Sequence, residues 1–291
     1  MTFINPQYLV ETAWLEAHLN DPALRILDCT VLFATDANGI HIASGRDAWA
    51  QGHIPGSVFA DFLQDLSDHI NPVPFMMPPA TQFAEVMSQY GVGEGTQVVL
   101  YDACSDMWAH MWAARVWWML GVCGFDQAAV LNGGWHKWTM EGRPVSTDPP
   151  LYPPARFIAQ PRPELMADKH EVLATMGDSH TCLLNALTVE DHVGTVVQYG
   201  RAGHIPSSVN VPTVALIDPV THAYLPAARL REQFETVGAL SRERVITYCG
   251  GGIAASSDAF VLTLLGVPNV AVYDGSLLEW SADPTLPMET A

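Results

Sequence analysis

The chain carries one unit twice, and this constrains its fold more than any single motif does. Gly52-His53-Ile54-Pro55-Gly56-Ser57-Val58 returns as Gly203-His204-Ile205-Pro206-Ser207-Ser208-Val209. Val98-Val99-Leu100-Tyr101 returns as Val245-Ile246-Thr247-Tyr248, and Leu120-Gly121-Val122 as Leu265-Gly266-Val267. Val130-Leu131-Asn132-Gly133, ahead of Trp138, pairs with Val272-Tyr273-Asp274-Gly275, ahead of Trp280. The matches keep their order at a spacing of roughly 150 residues, the length of one domain.

A stiff break separates the copies. The stretch EGRPVSTDPPLYPPARFIAQPRP is dense in the chain's 21 prolines. Proline lacks an N–H and has a fixed φ, so such a run neither continues a helix nor sits inside a sheet. The expected organisation is a domain over residues 1–142, a linker over 143–163 and a second domain over 164–291. In each copy short β-branched runs (QVVLYD and AAVLN; HTCLLNAL, RVITYC and VAVYDG) alternate with helix-like ones (TQFAEVMSQYG and WAARVWWMLG; RLREQFETVG and AASSDAFVLTLLG). ARILDCTVLF reads as one more buried strand. Alternation of this kind, with continuously apolar strands, predicts an α/β fold in which each domain is a mainly parallel sheet with helices on both faces.

Composition narrows the function classes. With 291 residues, 49% of them hydrophobic, the chain can build its cores without a disulfide or metal staple. Its formal charge of −18 argues against binding nucleic acid, which needs Lys and Arg to displace counterions, and against an anionic membrane surface. A small anion would need a local pocket that opposes the global field. The five cysteines are scattered and form no C-x-x-C pair, which predicts a reducing compartment and no zinc site. The N-terminal stretch has no basic region and the chain no apolar run of membrane-spanning length, so the expected location is cytoplasmic. Neither a phosphate-binding loop nor a dinucleotide fingerprint is present, and no cofactor or metal is expected.

The repeat also singles out a nucleophile. Aligning Tyr101 with Tyr248 sets Asp102 of the first copy opposite Cys249 of the second. After Cys249 come Gly250, Gly251 and Gly252, then Ile253 and Ala254 at the start of a helix-like run. A cysteine thus stands at the C-terminal end of a strand, the edge where open α/β sheets bind ligands. The glycines let the chain curl so that successive N–H groups and a helix N-terminus converge on the sulfur. Such surroundings lower a thiol pKa into the range of ~3.5–7.5, so a thiolate is expected at neutral pH. The first copy reads Asp102-Ala103-Cys104-Ser105-Asp106 there, acidic and without glycines, and is expected to be inactive. Cys29, Cys104, Cys123 and Cys182 read as inert core cysteines.

YCGGGIAAS, VYDGSLLEW, the two GHIP segments, VVLYD and LNGGWHKW together resemble the tandem-domain rhodanese-type sulfurtransferases, over essentially the whole chain. The resemblance implies an inactive first domain and a catalytic second one. It further implies that Cys249 takes the sulfane sulfur of a small anionic donor as a persulfide, for cyanide or a thiol to collect. Thiosulfate-preferring members carry a basic residue in the loop, where this chain has Gly250 and Gly251. Mercaptopyruvate-preferring members read Cys-Gly-Ser/Thr-Gly, which is nearer, although Gly251 lacks the hydroxyl. Phe75 replaces a first-domain histidine, and Asn185-Ala186-Leu187 replaces an Asp-x-Arg segment. Arg201, ahead of the second GHIP turn, is left as the expected donor-binding cation. His53 and His204 read as turn residues, Asp274 as shaping the pocket or capping a helix, and Arg115 and Arg143 as domain-packing residues. Two other readings exist: a persulfide-carrying relay with little small-donor turnover, motivated by the missing cations, and a cysteine phosphatase, disfavoured because Ala255 occupies the position of the phosphate-binding arginine.

Overall fold

The computed structural model describes residues 2–36, 39–104, 109–150 and 152–290. The central strands of both sheets form on short, mostly apolar runs. In the first half the strands are β1 (Leu9–Val10), β2 (Leu24–Asp28), β3 (Val31–Asp36), β4 (Gly39–Ser44), β5 (Ser57–Phe59), β6 (Gln97–Tyr101) and β7 (Ala128–Leu131). The helices among them are α1 (Thr12–His18), α2 (Arg46–Gln51), α3 (Ala80–Gln89), α4 (Met111–Val122) and α5 (Gly134–Met140). The second half has β8 (Met166–Ala167), β9 (Thr181–Asn185), β10 (Val209–Asn210), β11 (Arg244–Tyr248) and β12 (Val270–Tyr273). Its helices are α6 (Lys169–Thr175), α7 (Val189–Val193), α8 (Ala227–Thr236), α9 (Ile253–Leu264) and α10 (Ser276–Trp280).

Two five-stranded sheets result, ordered β1-β7-β6-β2-β5 and β8-β12-β11-β9-β10, with every neighbouring pair parallel. Equivalent strands occupy equivalent places, as a duplication requires. The matched tyrosines do the same work in each copy. Tyr101 Oη accepts from Ile54 N at 3.3 Å and meets Ser57 Oγ at 3.0 Å; Tyr248 Oη accepts from Ile205 N at 3.1 Å and meets Ser208 Oγ at 2.7 Å. Each GHIP turn is thereby pinned to the strand leading toward the site. His53 and His204 stack on Trp49 and His192 behind those turns, in structural positions.

One expectation needs correction. ARILDCTVLF is two strands, not one: β2 joins the parallel sheet, whereas β3 leaves it to pair antiparallel with β4. Asp28 turns the chain between them by accepting from Thr30 N at 2.9 Å, a local side-chain turn that apolar periodicity does not register.

The proline-rich segment lies along the first domain. Tyr152 stacks under the Arg25 guanidinium at 4.3 Å and donates to the Gly56 carbonyl, and Arg162 pairs with Asp126 at 2.6 Å. The domains meet through α4 and α9, apolar helices buried along almost their whole length. Trp117 meets Phe260 edge-on there at 4.8 Å, so the tryptophans of α4 serve packing. Among the described residues, no helix is long and apolar enough to cross a membrane.

Candidate active site

β11 ends at Tyr248, and α9 begins at Ile253 after Gly252, whose φ of 79° favours glycine. Cys249 and the three glycines make the turn between them. Behind this turn lies the Asp274-Gly275-Ser276 bend that follows β12. Leu277 N donates to the Cys249 carbonyl at 3.1 Å, and Leu278 N to the Gly250 carbonyl at 2.8 Å. The Ser276 hydroxyl accepts from Cys249 N at 3.0 Å and from Gly252 N at 3.2 Å. With its carbonyls turned back into the protein, the loop directs N–H groups at the sulfur. Those of Ala255, Gly251 and Gly252, together with the Ser276 hydroxyl, favour its anionic form. Ile253 and Ala254 form the first turn of α9, where backbone N–H groups have no intrahelical partner.

The expected low thiol pKa is not what this geometry produces. Cys249 is only 3% exposed, and burial pushes its thiol above the ordinary value despite the N–H groups facing it. What separates it from the other cysteines is that four hydrogen-bonding groups oppose burial at once. Burial acts alone on Cys123, raising it to about 11, while Cys29 and Cys104 are driven well above the ordinary range with the carboxyls of Asp28 and Asp102 adding to the rise. The loop lowers the cost of making a thiolate at a site where burial raises it.

Three contacts cover the loop. At Gly250 a Cβ would lie 2.1 Å from Cε1 of Tyr199, so the tyrosine ring stands where a side chain at this position would begin. At Gly251 a Cβ would meet Leu278 at 3.0 Å and Phe75 at 3.6 Å. At Gly252 it would meet Asp274 Oδ1 at 2.7 Å and Arg115 Nη1 at 3.1 Å. The glycines are therefore matched to their covers, and the absent loop cation has an aromatic ring in its place.

The first domain supplies part of this site. Phe75 has a left-handed φ of 67° and packs edge-on against Trp112 at 5.9 Å. Its carbonyl accepts from Arg115 Nη2 at 2.9 Å, and the same Nη2 lies 2.6 Å from Asp274 Oδ1. Asp274 Oδ2 in turn accepts from Met77 N at 2.9 Å. A buried ion pair between domains thus clamps a first-domain strap, residues 74–77, over the loop of the second. Arg115 and Asp274 were legible as packing and pocket-shaping residues; their pairing was not. Tyr199 and Ser276 were missed, because nothing in sequence spacing brings residues so far apart together. Phe75 was singled out by the resemblance, but its place over the loop was not, and Ser276 left a trace only as the residue after Asp274-Gly275, the match to Asn132-Gly133. Leu187, at the position of the family's arginine, is buried in the core.

Arg201 requires correction as well. Its Nε donates to the Ser281 carbonyl at 3.1 Å, its Nη1 to Leu286 at 2.8 Å, and its Nη2 to Trp280 at 3.2 Å and Asp283 at 3.1 Å. The guanidinium is occupied in holding the turn after α10, so its geometry is that of a staple, not of a donor-binding cation. Arg143 pairs with Glu141 at 2.6 Å at the end of α5. Arg201→Ala is expected to destabilise the fold by ~2 kcal/mol through the lost hydrogen bonds, read as a lower thermal midpoint, with little change in the KM for donor. A KM raised tenfold at unchanged stability would return Arg201 to the site.

The first copy lacks the cysteine at the matching position. Asp102 occupies the place of Cys249, and its carboxyl accepts from His110 N and Ala113 N at the start of α4, each at 3.1 Å. The anion seat is retained but filled by the chain's own side chain, whose pKa burial raises to about 7. Ser105 and Asp106 lie outside the described residues.

Comparison with known proteins agrees with this geometry. The Rhodanese-like domain family model matches residues 11–141 and 171–283. The sulfur carrier protein TtuD of Thermus thermophilus is 31% identical, the match covering 96% of this chain and 95% of TtuD. The 3-mercaptopyruvate sulfurtransferase of Escherichia coli K12 is 30% identical over 97% of this chain and 98% of its own length. The thiosulfate sulfurtransferase of Bos taurus is 31% identical, with coverage of 94% and 91%. The crystal structure of SseA from Escherichia coli, a 3-mercaptopyruvate sulfotransferase with the rhodanese fold, superposes with a TM-score of 0.80 at 28% identity, covering 92% of this chain and 98% of that one. Two equivalent parallel sheets, a cysteine loop in one and a filled anion seat in the other fit these matches: the chain belongs to the rhodanese family, as a tandem of two such domains.

Proposed function

We propose that the chain is a sulfurtransferase in which Cys249 carries the sulfur. The observation that supports this most is the convergence of the Gly251, Gly252 and Ala255 N–H groups on a cysteine that the other copy lacks. In the first half-reaction the Cys249 thiolate attacks the sulfane sulfur of the donor. With thiosulfate an S–S bond breaks and sulfite leaves with the electron pair. With 3-mercaptopyruvate a C–S bond breaks and the pyruvate enolate leaves, to be protonated by solvent. The persulfide anion then rests in the N–H cradle, stabilised as an oxyanion is elsewhere. In the second half-reaction cyanide or a thiol attacks the outer sulfur, and the electron pair of the broken S–S bond returns to Cys249. The donor is held by backbone N–H groups rather than by a loop cation, a reading favoured by the occupation of Arg201 and by Tyr199 over Gly250. Between the donors, the Cys249-Gly250-Gly251-Gly252 loop leans toward 3-mercaptopyruvate. Five unpaired cysteines fit a reducing, cytoplasmic setting.

A relay reading, in which Cys249 exchanges sulfur with a partner protein, is favoured by the near-complete cover over the sulfur and by the similarity to a sulfur carrier protein. Parallel steady-state kinetics with both small donors separate the two. Turnover above a Cys249→Ala control supports the enzyme; its absence with both donors leaves the relay. Because the thiol is raised, its thiolate share grows about tenfold per pH unit below its pKa. The rate of persulfide formation is therefore expected to climb steadily from pH 6 to pH 8. A flat profile over that range would mean that the thiol is already ionised.

A further inference from the structure

The hydroxyl of Ser276 is placed to do more than fill space. It is fully buried, and its backbone φ of 47° lies in the left-handed region, where glycine would sit with less strain. A hydroxyl has one proton and two lone pairs. Both lone pairs are taken by the loop, through Cys249 N at 3.0 Å and Gly252 N at 3.2 Å. These are the first and last residues of the turn that carries the sulfur, so one oxygen closes the turn across its base. The proton goes to the Tyr273 carbonyl at 2.7 Å, and the same hydroxyl is among the groups that favour the anionic form of Cys249.

We propose that Ser276 is a positioning residue for the sulfur chemistry: its oxygen locks the catalytic loop through the Cys249 and Gly252 N–H groups, and its proton turns from the Tyr273 carbonyl to the Cys249 sulfur when that sulfur becomes an anion. This deepens the sulfurtransferase reading, since the thiolate that attacks the donor, and that returns when the acceptor takes the outer sulfur, receives this hydrogen bond. Because a charged acceptor holds a hydrogen bond more tightly than a neutral carbonyl, the donation strengthens as charge develops. No group other than this proton has to move. The remaining titratable groups facing the sulfur, Tyr199 over Gly250 and Tyr248 beneath, are raised by burial and stay neutral; the Arg115–Asp274 pair beside Gly252 is mutually compensated.

The test uses the full chain and no sulfur donor, so its outcome stands even if neither small donor is turned over. Iodoacetamide alkylation of the peptide containing Cys249 is followed by mass spectrometry as a function of pH, in the parent, Ser276→Ala and Ser276→Gly. Both variants remove the hydroxyl, but the glycine also relieves the left-handed backbone. The expected result is a thiol pKa higher by about 1 in both, and alkylation about tenfold slower below it. A purely structural role predicts a difference in thermal midpoint between the two variants and an unchanged pKa. A folded Ser276→Gly protein that titrates as the parent does would overturn the proposal, whether or not the alanine variant folds.

Discussion

Replacing Cys249 by serine is expected to abolish sulfur transfer and to leave the fold intact. Serine keeps the size of the buried side chain and its N–H partners, but a hydroxyl is far less acidic than a thiol and does not form a persulfide. After treatment of the parent with donor, mass spectrometry should find an adduct of about 32 Da, one sulfur, on the peptide that contains Cys249 and on no other. In Cys249→Ser the adduct should vanish together with turnover. The other cysteines offer the sharpest contrast. Cys104, although at the equivalent sheet edge, is driven up by burial and by the neighbouring Asp102 carboxyl, and its thiol faces the Val31 carbonyl at 3.1 Å. Adduct found mainly on Cys104 would reverse the assignment of active and inactive copies.

The second large effect concerns the clamp between domains. Arg115 is fully buried and Asp274 nearly so, and removing one partner of such a pair strands the other charge away from water. The cost is ~3–5 kcal/mol, so Arg115→Ala is expected to lower the thermal midpoint by roughly 10 °C. It should also release the Phe75 carbonyl, and with it the strap over the catalytic loop, reducing kcat/KM at least tenfold by loosening the cover on the sulfur. Pairing Arg115→Ala with Asp274→Ala should recover part of the stability, because the double variant leaves no buried charge unpaired; a double-mutant cycle measures that coupling. A single variant melting within two degrees of the parent would show that the pair is not what joins strap to loop.

How much of this was legible follows from how local each cause is. Cys249 and its glycines were readable because the cysteine, the glycines and the helix start lie within six consecutive residues and the repeat supplied a copy to compare. The parallel sheets were readable from local pattern too, because apolar strands alternating with helices imply crossover connections and hence parallel neighbours; the order of the strands was not. The break in ARILDCTVLF was not, since Asp28 ends β2 through a side-chain turn that leaves the hydrophobic pattern unbroken. Arg201 misled because residue type and a place near the GHIP turn say nothing about which acceptors a long side chain meets. Its four carbonyl partners come from residues about 80 positions later, a pairing that only folding creates.

Sequence by itself determined that this chain is a duplicated α/β unit with one candidate nucleophile, because the repeat can be aligned in order and the strand end, cysteine and glycine turn are written contiguously. Tertiary structure alone decided how reactive that nucleophile is. Burial of the sulfur, in a loop covered by Tyr199 at Gly250 and by Phe75 and Leu278 at Gly251, raises its proton affinity, N–H groups and the Ser276 hydroxyl oppose that rise, and an arginine of the first copy holds the Phe75 carbonyl. Each of these depends on removing water from between groups distant in the chain. Desolvation is a property of the packed assembly and of no single segment within it.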